Sequence, residues 1–249
     1  MTRVALVVGG SRGIGRACAV RLANDGFDAV VVGYRADDEA AAGAVAAIDD
    51  AGAHAVAVRA DATDDDGLAR LLVAAAEAGT LAAVVYAAGH RTLGPTLELD
   101  PVAWQRALDV TLTGFVRTAH AAASAMDGGG AIVGISGLSG VRAYSPQHLT
   151  MGTAKAASHH AAAYLGQALA PRGINLNIVC CGSTRTEGVE RDLTKEQYRE
   201  FVLGAAARIP IGRIAEPAEI ASVVSFLCSP DARLLVGQVL VADGGETLR

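Results

Sequence analysis

The chain of 249 residues is expected to form an α/β fold, a doubly wound parallel sheet of about seven strands with helices on both faces. Three observations predict it. Short apolar runs alternate with longer amphipathic ones from end to end. The short runs are apolar almost throughout, as strands covered on both faces are, rather than alternating with polar residues. The sequence also has no internal repeat, low-complexity tail or linker, and its 51% hydrophobic content is enough for one large core.

The expected strands cover residues 4–8, 29–32, 53–58, 81–86, 131–135, 174–179 and 238–241. The expected helices cover 13–25, 37–51, 64–78, 101–125, 150–170 and 217–228. Asp100 before Pro101, and Glu216 before Pro217, are caps ahead of a first-turn proline. Gly128-Gly129-Gly130 is a tight turn into a strand. Residues 183–207 are less regular and polar, and read as a mobile pair of short helices lying over a site as a substrate lid. Aromatic residues are only 4%, so Ala, Val, Leu and Ile must build the core.

Composition also argues against several function classes. A formal net charge of −5, with scattered rather than clustered cations, gives no reason to expect nucleic acid or an anionic membrane as partner. No apolar run approaches the roughly 20 residues of a membrane span. Met1-Thr2-Arg3 before Val4 resembles the start of a secretory leader. The apolar run is too short, however, and Gly9-Gly10-Ser11-Arg12 ends it, so it reads as a buried first strand. Cys18, Cys180, Cys181 and Cys228 lack zinc-ligand spacing and read as free thiols of a cytoplasmic protein. His159-His160 point in different directions on a helix and have no third ligand nearby, so no metal site is expected.

The most informative motif is Gly9-Gly10-Ser11-Arg12-Gly13-Ile14-Gly15, which leaves a strand and opens a helix. Bare glycines let the main chain approach a pyrophosphate, and the helix start offers it free N–H groups and the positive end of a dipole. This is dinucleotide-binding chemistry on a single-domain Rossmann fold. Nineteen residues after Gly15, where an acid would accept from a ribose 2′-hydroxyl, stand Tyr34 and then Arg35. With Arg12 in the glycine loop, two guanidiniums near the 2′ position favour NADP(H) over NAD(H).

With these residues in view, the chain resembles the short-chain dehydrogenase/reductase family in its classical branch, the β-ketoacyl-carrier-protein reductases above all. The resemblance spans nearly the whole chain. It rests on the glycine loop, Asp61, Ala88-Gly89, Lys155, Pro210-Ile211-Gly212-Arg213, and the ending Asp243-Gly244-Gly245. It implies hydride transfer at a carbonyl or alcohol, and a homodimer or homotetramer. It implies cofactor contacts at Gly9, Ser11, Arg12, Gly13, Ile14, Gly15, Tyr34, Arg35, Asp61, Ala62, Ala88, Gly89, Lys155, Gly182, Thr184 and Thr186, with Asp61 on the adenine and Lys155 on the nicotinamide ribose.

The family's Asn, Ser, Tyr and Lys set survives here only at Lys155. Met151 stands four residues before it in place of the proton-donating tyrosine, and a thioether has no proton to give. Gly137 stands at the serine position, with Ser136 just before it, and Thr111 at the asparagine position. The stretch ahead of Met151 is one residue longer than the family's. Candidates for the chemistry are therefore Lys155, Ser136, Thr111, Tyr144 and His148, with His90 or a water held by Lys155 and Thr111 as other proton sources. Arg91 and Arg142 flank the same mouth. The expected activity is an NADPH-dependent ketoreductase acting on a specialised metabolite, polyketide-like or carrier-protein-bound. Two alternatives stay open: a silent partner of an active reductase, and a non-redox cyclase, dehydratase or isomerase on the same scaffold.

Overall fold

A computed structural model describes residues 2–191 and 193–248. Among them, seven strands form one parallel sheet: β1 (Arg3–Val8), β2 (Ala29–Tyr34), β3 (His54–Arg59), β4 (Thr80–Tyr86), β5 (Gly130–Gly137), β6 (Ile174–Cys181) and β7 (Val239–Ala242). Their order across the sheet is β3-β2-β1-β4-β5-β6-β7. The chain therefore winds outward from β1 to β3, crosses back, and winds the other way from β4. The fold is a single-domain Rossmann-type α/β structure, and its strands begin and end within a residue or two of the expected bounds.

The apolar runs are continuous because each strand has two buried faces. In β1, Val4, Leu6 and Val8 join one core cluster, and Ala5 and Val7 join the other. Helices α1 (Gly13–Asn24), α2 (Asp38–Asp50) and α9 (Pro217–Leu227) cover the face of Ala5 and Val7. The opposite face carries α3 (Asp65–Ala78), α5 (Gly114–Ala125) and α6 (Leu149–Leu169). Each fully buried Val, Leu or Ile contributes about 1.5–3 kcal/mol against exposure, so both windings are held by ordinary apolar burial.

The span expected as one helix, 101–125, is interrupted. α4 (Pro101–Leu108) gives way to one wide turn of π type over Asp109–Thr113, and α5 follows. The cause lies on β4. Tyr86 is buried, packs against Phe115 at 5.8 Å between ring centres, and donates its hydroxyl to the Val110 carbonyl. A phenol aimed at a helical carbonyl competes with the main-chain ladder and widens the turn. Gly114 makes room for it, since a Cβ there would overlap the Tyr86 hydroxyl.

The expected lid, residues 183–207, holds α7 (Glu187–Arg191) and all but the last residue of α8 (Lys195–Arg208); Asp192 within it lies outside the described residues. α8 buries only Ala205 and starts with a full capping box from Thr194 and Gln197. Exposed ion pairs tie this segment to the body, Arg16 to Glu187 and Arg185 to Glu216, both at 2.9 Å. Such pairs contribute little. No helix among the described residues is long and apolar enough to cross a membrane.

Tyr86→Phe keeps the ring packing and leaves the Val110 carbonyl without its buried donor. It should lower the unfolding free energy by about 1–3 kcal/mol. Urea unfolding followed by circular dichroism reads this, and an unchanged midpoint rejects the role given to the hydroxyl.

Candidate active site

β1 and β4 are neighbours whose connections run in opposite directions. A cleft opens at their carboxyl ends, as the topology of open α/β sheets requires. It encloses about 540 Å³. Gly9, Arg12, Gly13, Ile14 and Gly15 line one side. Gly9 has φ +80°, and a Cβ on it would stand 2.8 Å from the Ala88 nitrogen. A Cβ on Gly15 would overlap the Gly9 carbonyl. The turn thus lies flat against the end of β4 and carries no side chain at those points. Its other anchor is the Gly33 carbonyl, which accepts from Gly9 and Gly10 at 2.9 and 3.0 Å.

The helix behind this turn differs from its neighbours. Asp37, Asp64 and Asp100 each cap their helices with a side-chain oxygen, whereas the α1 cap position, Arg12, supplies none. The first-turn N–H groups of α1 therefore face the cleft without a side-chain acceptor, at the positive end of the helix dipole.

Tyr34, Arg35, Asp61 and Ala62 line the far end. The Tyr34 hydroxyl donates to Asp38 at 2.9 Å. Arg12 forms an ion pair with Asp37, so one of the two expected guanidiniums already has a carboxylate beside it. Asp61 accepts from the Thr63 backbone at 2.9 Å, the Thr63 hydroxyl at 2.7 Å and Arg106 at 2.9 Å. Burial pushes its carboxyl up, but these hydrogen bonds and the Arg106 charge outweigh burial and hold it at about 2. Asp61 is thus an ionised, oriented acceptor.

Ala88, Gly89, Thr111, Ser136, Met151, Lys155 and Thr186 meet at the near end. Thr111 lies in the wide π turn, and its carbonyl accepts from Ser158 at 3.0 Å. Met151 and Lys155 stand one turn apart on α6 and share a face. The Lys155 ammonium comes so close to Gly137 that a Cβ there would lie 2.7 Å from Nζ. The lysine therefore occupies space that a side chain at 137 would need. His90 and Arg91 line the cleft as well.

Tyr144 and His148 do not line this cleft, although burial, and then the charges of Lys155 and Arg91, which do line it, lower the His148 imidazole. They line a neighbouring cavity of about 730 Å³ walled by the β5–α6 loop. The Tyr144 hydroxyl donates to Glu246 at 2.7 Å, and its ring meets that of His148 edge-on at 5.6 Å. The Glu246 carboxylate is buried and also accepts from the Ser183 backbone and hydroxyl at 2.8 and 2.9 Å. The loop thus contacts the C-terminal turn through Tyr144. Arg142 lies there too, 3.4 Å from the Glu246 carbonyl. Ser11, Gly182 and Thr184 shape turns beside the cleft without lining it. The Thr184 hydroxyl donates to the Gly182 carbonyl at 2.9 Å, and the Gly182 nitrogen donates to Ala242 at 3.1 Å.

Sequence reasoning missed Arg106, Glu246 and His159. Nothing in the spacing marks the first two. His159 carried a signal, because it follows Met151 and Lys155 at the same interval of four and so continues their face of α6. Its Nε2 lies 2.7 Å from the Ser136 hydroxyl. Burial, and then the Lys155 charge, hold the imidazole down at about 4, so it is neutral at neutral pH. An unfolded histidine titrates near 6.5, so below that the unfolded chain binds a proton that the native protein refuses. The resulting stability is complete above about pH 6.5 and is lost as pH falls towards about 4. Urea midpoints of the protein should therefore fall more steeply over that window than those of His159→Phe; parallel profiles reject the buried neutral imidazole.

With the site described, comparison with known proteins gives a consistent result. Residues 8–247 match the family model described as enoyl-(acyl carrier protein) reductase. The chain is 38% identical to the cis-4-hydroxycyclohexanecarboxylate dehydrogenase of Sinomonas cyclohexanicum, over 98% of this chain and 96% of that one. It is 35% identical to the L-rhamnose 1-dehydrogenase (NAD(P)(+)) of Azotobacter vinelandii, again over 98% and 96%. A solved short-chain dehydrogenase/reductase from Serratia marcescens superposes with a TM-score of 0.90 at 32% identity, covering 98% of each chain. The chain belongs to the short-chain dehydrogenase/reductase family, oxidoreductases that act on C=O and CH–OH groups.

Proposed function

We propose that the protein is an NADP(H)-dependent ketoreductase acting on a carbonyl of a specialised metabolite, polyketide-like or presented on a carrier protein, without the family's usual serine and tyrosine. One observation carries the cofactor part of this reading: an uncapped helix start behind a turn bare of side chains, opening on the same cleft as Lys155. That cradle fits a pyrophosphate, with Asp61 placed to accept from an adenine amine and Lys155 to hold the second ribose. Bound there, the nicotinamide supplies or takes the hydride at the substrate carbon.

The preference for NADP(H) rests on Arg35 and Arg12 at the ribose end, where the Asp37 and Asp38 carboxylates are engaged by Arg12 and Tyr34. Arg12, paired with Asp37, stands ready to exchange that partner for a 2′-phosphate. The loosely tied segment 183–207 acts as the lid. Tyr164 on α6, Leu234, and Val241 on β7 are exposed apolar residues suited to contacts in a homodimer or homotetramer. The four free thiols fit a cytoplasmic setting.

Calorimetry should show NADPH binding more tightly than NADH, and Arg35→Asp should reverse the order. Gly15→Ala should weaken NADPH by about tenfold or more, about 1.4 kcal/mol, with an unchanged dichroism spectrum. Consumption of NADPH with added ketones tests the activity, and Lys155→Ala should lower both cofactor affinity and turnover. Product formed with no change in nicotinamide absorbance favours a non-redox catalyst. Silence together with co-purification of a complete reductase favours the partner role.

A further inference from the structure

Loss of the phenol leaves the reductase without its proton donor, and three sequence candidates do not replace it. Tyr144 lines the other cavity with its hydroxyl bonded to Glu246, and His148 lines that cavity too, although the Lys155 and Arg91 charges act on it. His90 lies in the cleft, but the charges that bear on it after burial are Arg106 and Arg35, which belong to the adenosine end.

Ser136 is different. It sits at the carboxyl end of β5, buried, and lines the cleft together with Met151 and Lys155. Its hydroxyl is 2.7 Å from Nε2 of His159. His159 is partly buried and stands one helical turn beyond Lys155, so the lysine and the histidine follow the methionine along one face of α6. Gly140 makes room for the ring, since a Cβ there would come within 2.7 Å of Cε1. The pair thus joins a cleft-lining hydroxyl to a partly buried imidazole that can pass a proton to it.

We propose that Ser136 and His159 deliver the proton in place of the missing tyrosine, with Ser136 the catalytic residue and His159 the positioning residue behind it. The proposal rests on the ketoreductase reading and specifies its proton path. In the reductive direction the substrate carbon gains the hydride and the C=O π bond breaks. The resulting oxygen takes the proton of the Ser136 hydroxyl. Ser136 Oγ takes the Nε2 proton of His159, and His159 Nδ1 takes one from water. The imidazole stays neutral and changes tautomer. After the alcohol leaves, loss of the Nδ1 proton to water and gain of one from water at Nε2 restore the starting form, so the net consumption is one hydride and one proton per alcohol formed. A neutral imidazole beside Lys155 suits this relay. It has a proton to pass on and a second nitrogen to refill it, and the ammonium favours the anion forming on the substrate.

Two measurements on the full chain test the pair. Nitrogen-15 NMR of histidine-labelled protein at neutral pH should show His159 neutral with its proton on Nε2, in the free protein and with NADPH. A charged ring, or the Nδ1–H tautomer, overturns the relay, because the serine would then donate to the ring. Turnover is then followed with NADPH and two probe ketones, ethyl acetoacetate and 9,10-phenanthrenequinone. Ser136→Ala and His159→Phe should each lower kcat by about 100-fold while NADPH affinity stays within about twofold, and His159→Gln should stay low despite its hydrogen bond. Ser136→Thr, which keeps the hydroxyl, should recover part of the rate. Full turnover by His159→Phe rejects the relay alone and leaves the reductase reading standing. No turnover by the parent protein with either probe rejects both.

Discussion

At the end of β1 the main chain turns so tightly that Gly15 lies against the Gly9 carbonyl and Gly9 against the backbone of Ala88. A side chain on Gly9 or Gly15 would push the turn away from the sheet and tilt the helix that follows. With the turn seated, α1 points its uncapped start into the gap between β1 and β4, where the winding of the sheet reverses. The gap exists because two apolar cores, one on each face, pull the connecting helices to opposite sides. The helix start thus depends on an arrangement whose stability is apolar and whose chemistry is that of main-chain donors without a side-chain cap.

The reactive end of the cleft depends on a second contact across the sheet. The hydroxyl of Tyr86 bends the path between α4 and α5 into one wide turn, and Thr111 is carried in that turn. The turn in turn meets α6, where Ser158 donates to the Thr111 carbonyl. One buried phenol and one buried serine hydroxyl thus hold adjacent carbonyls of this turn, those of Val110 and Thr111.

α6 presents a single face to the cleft and to the space behind it, with Met151, Lys155 and His159 in succession. Met151 brings apolar cover and no ionisable group to the cleft. The bare Gly137 leaves the space beside β5 in which the Lys155 ammonium sits. Ser136 then meets a histidine one turn further along the same helix. In the loop between β5 and α6, Tyr144 donates to Glu246, which also accepts from Ser183.

The sequence by itself determined the order of strands and helices, the sheet's two-sided burial, the glycine turn and the position of Lys155. These follow from patterns that repeat within a few residues, where chain geometry alone decides which side chains share a face. Only the tertiary structure decided the pairing of Ser136 with His159, 23 residues apart, of Asp61 with Arg106, 45 apart, and of Tyr144 with Glu246, 102 apart. It also decided the break in the 101–125 helix, which comes from a tyrosine on another strand. Such contacts depend on which strand ends the sheet brings together, and no local periodicity encodes that. Tyr144 shows the difference: its place just before Met151 suggested the active site, while a carboxylate from the far end of the chain holds its hydroxyl and it lines the neighbouring cavity.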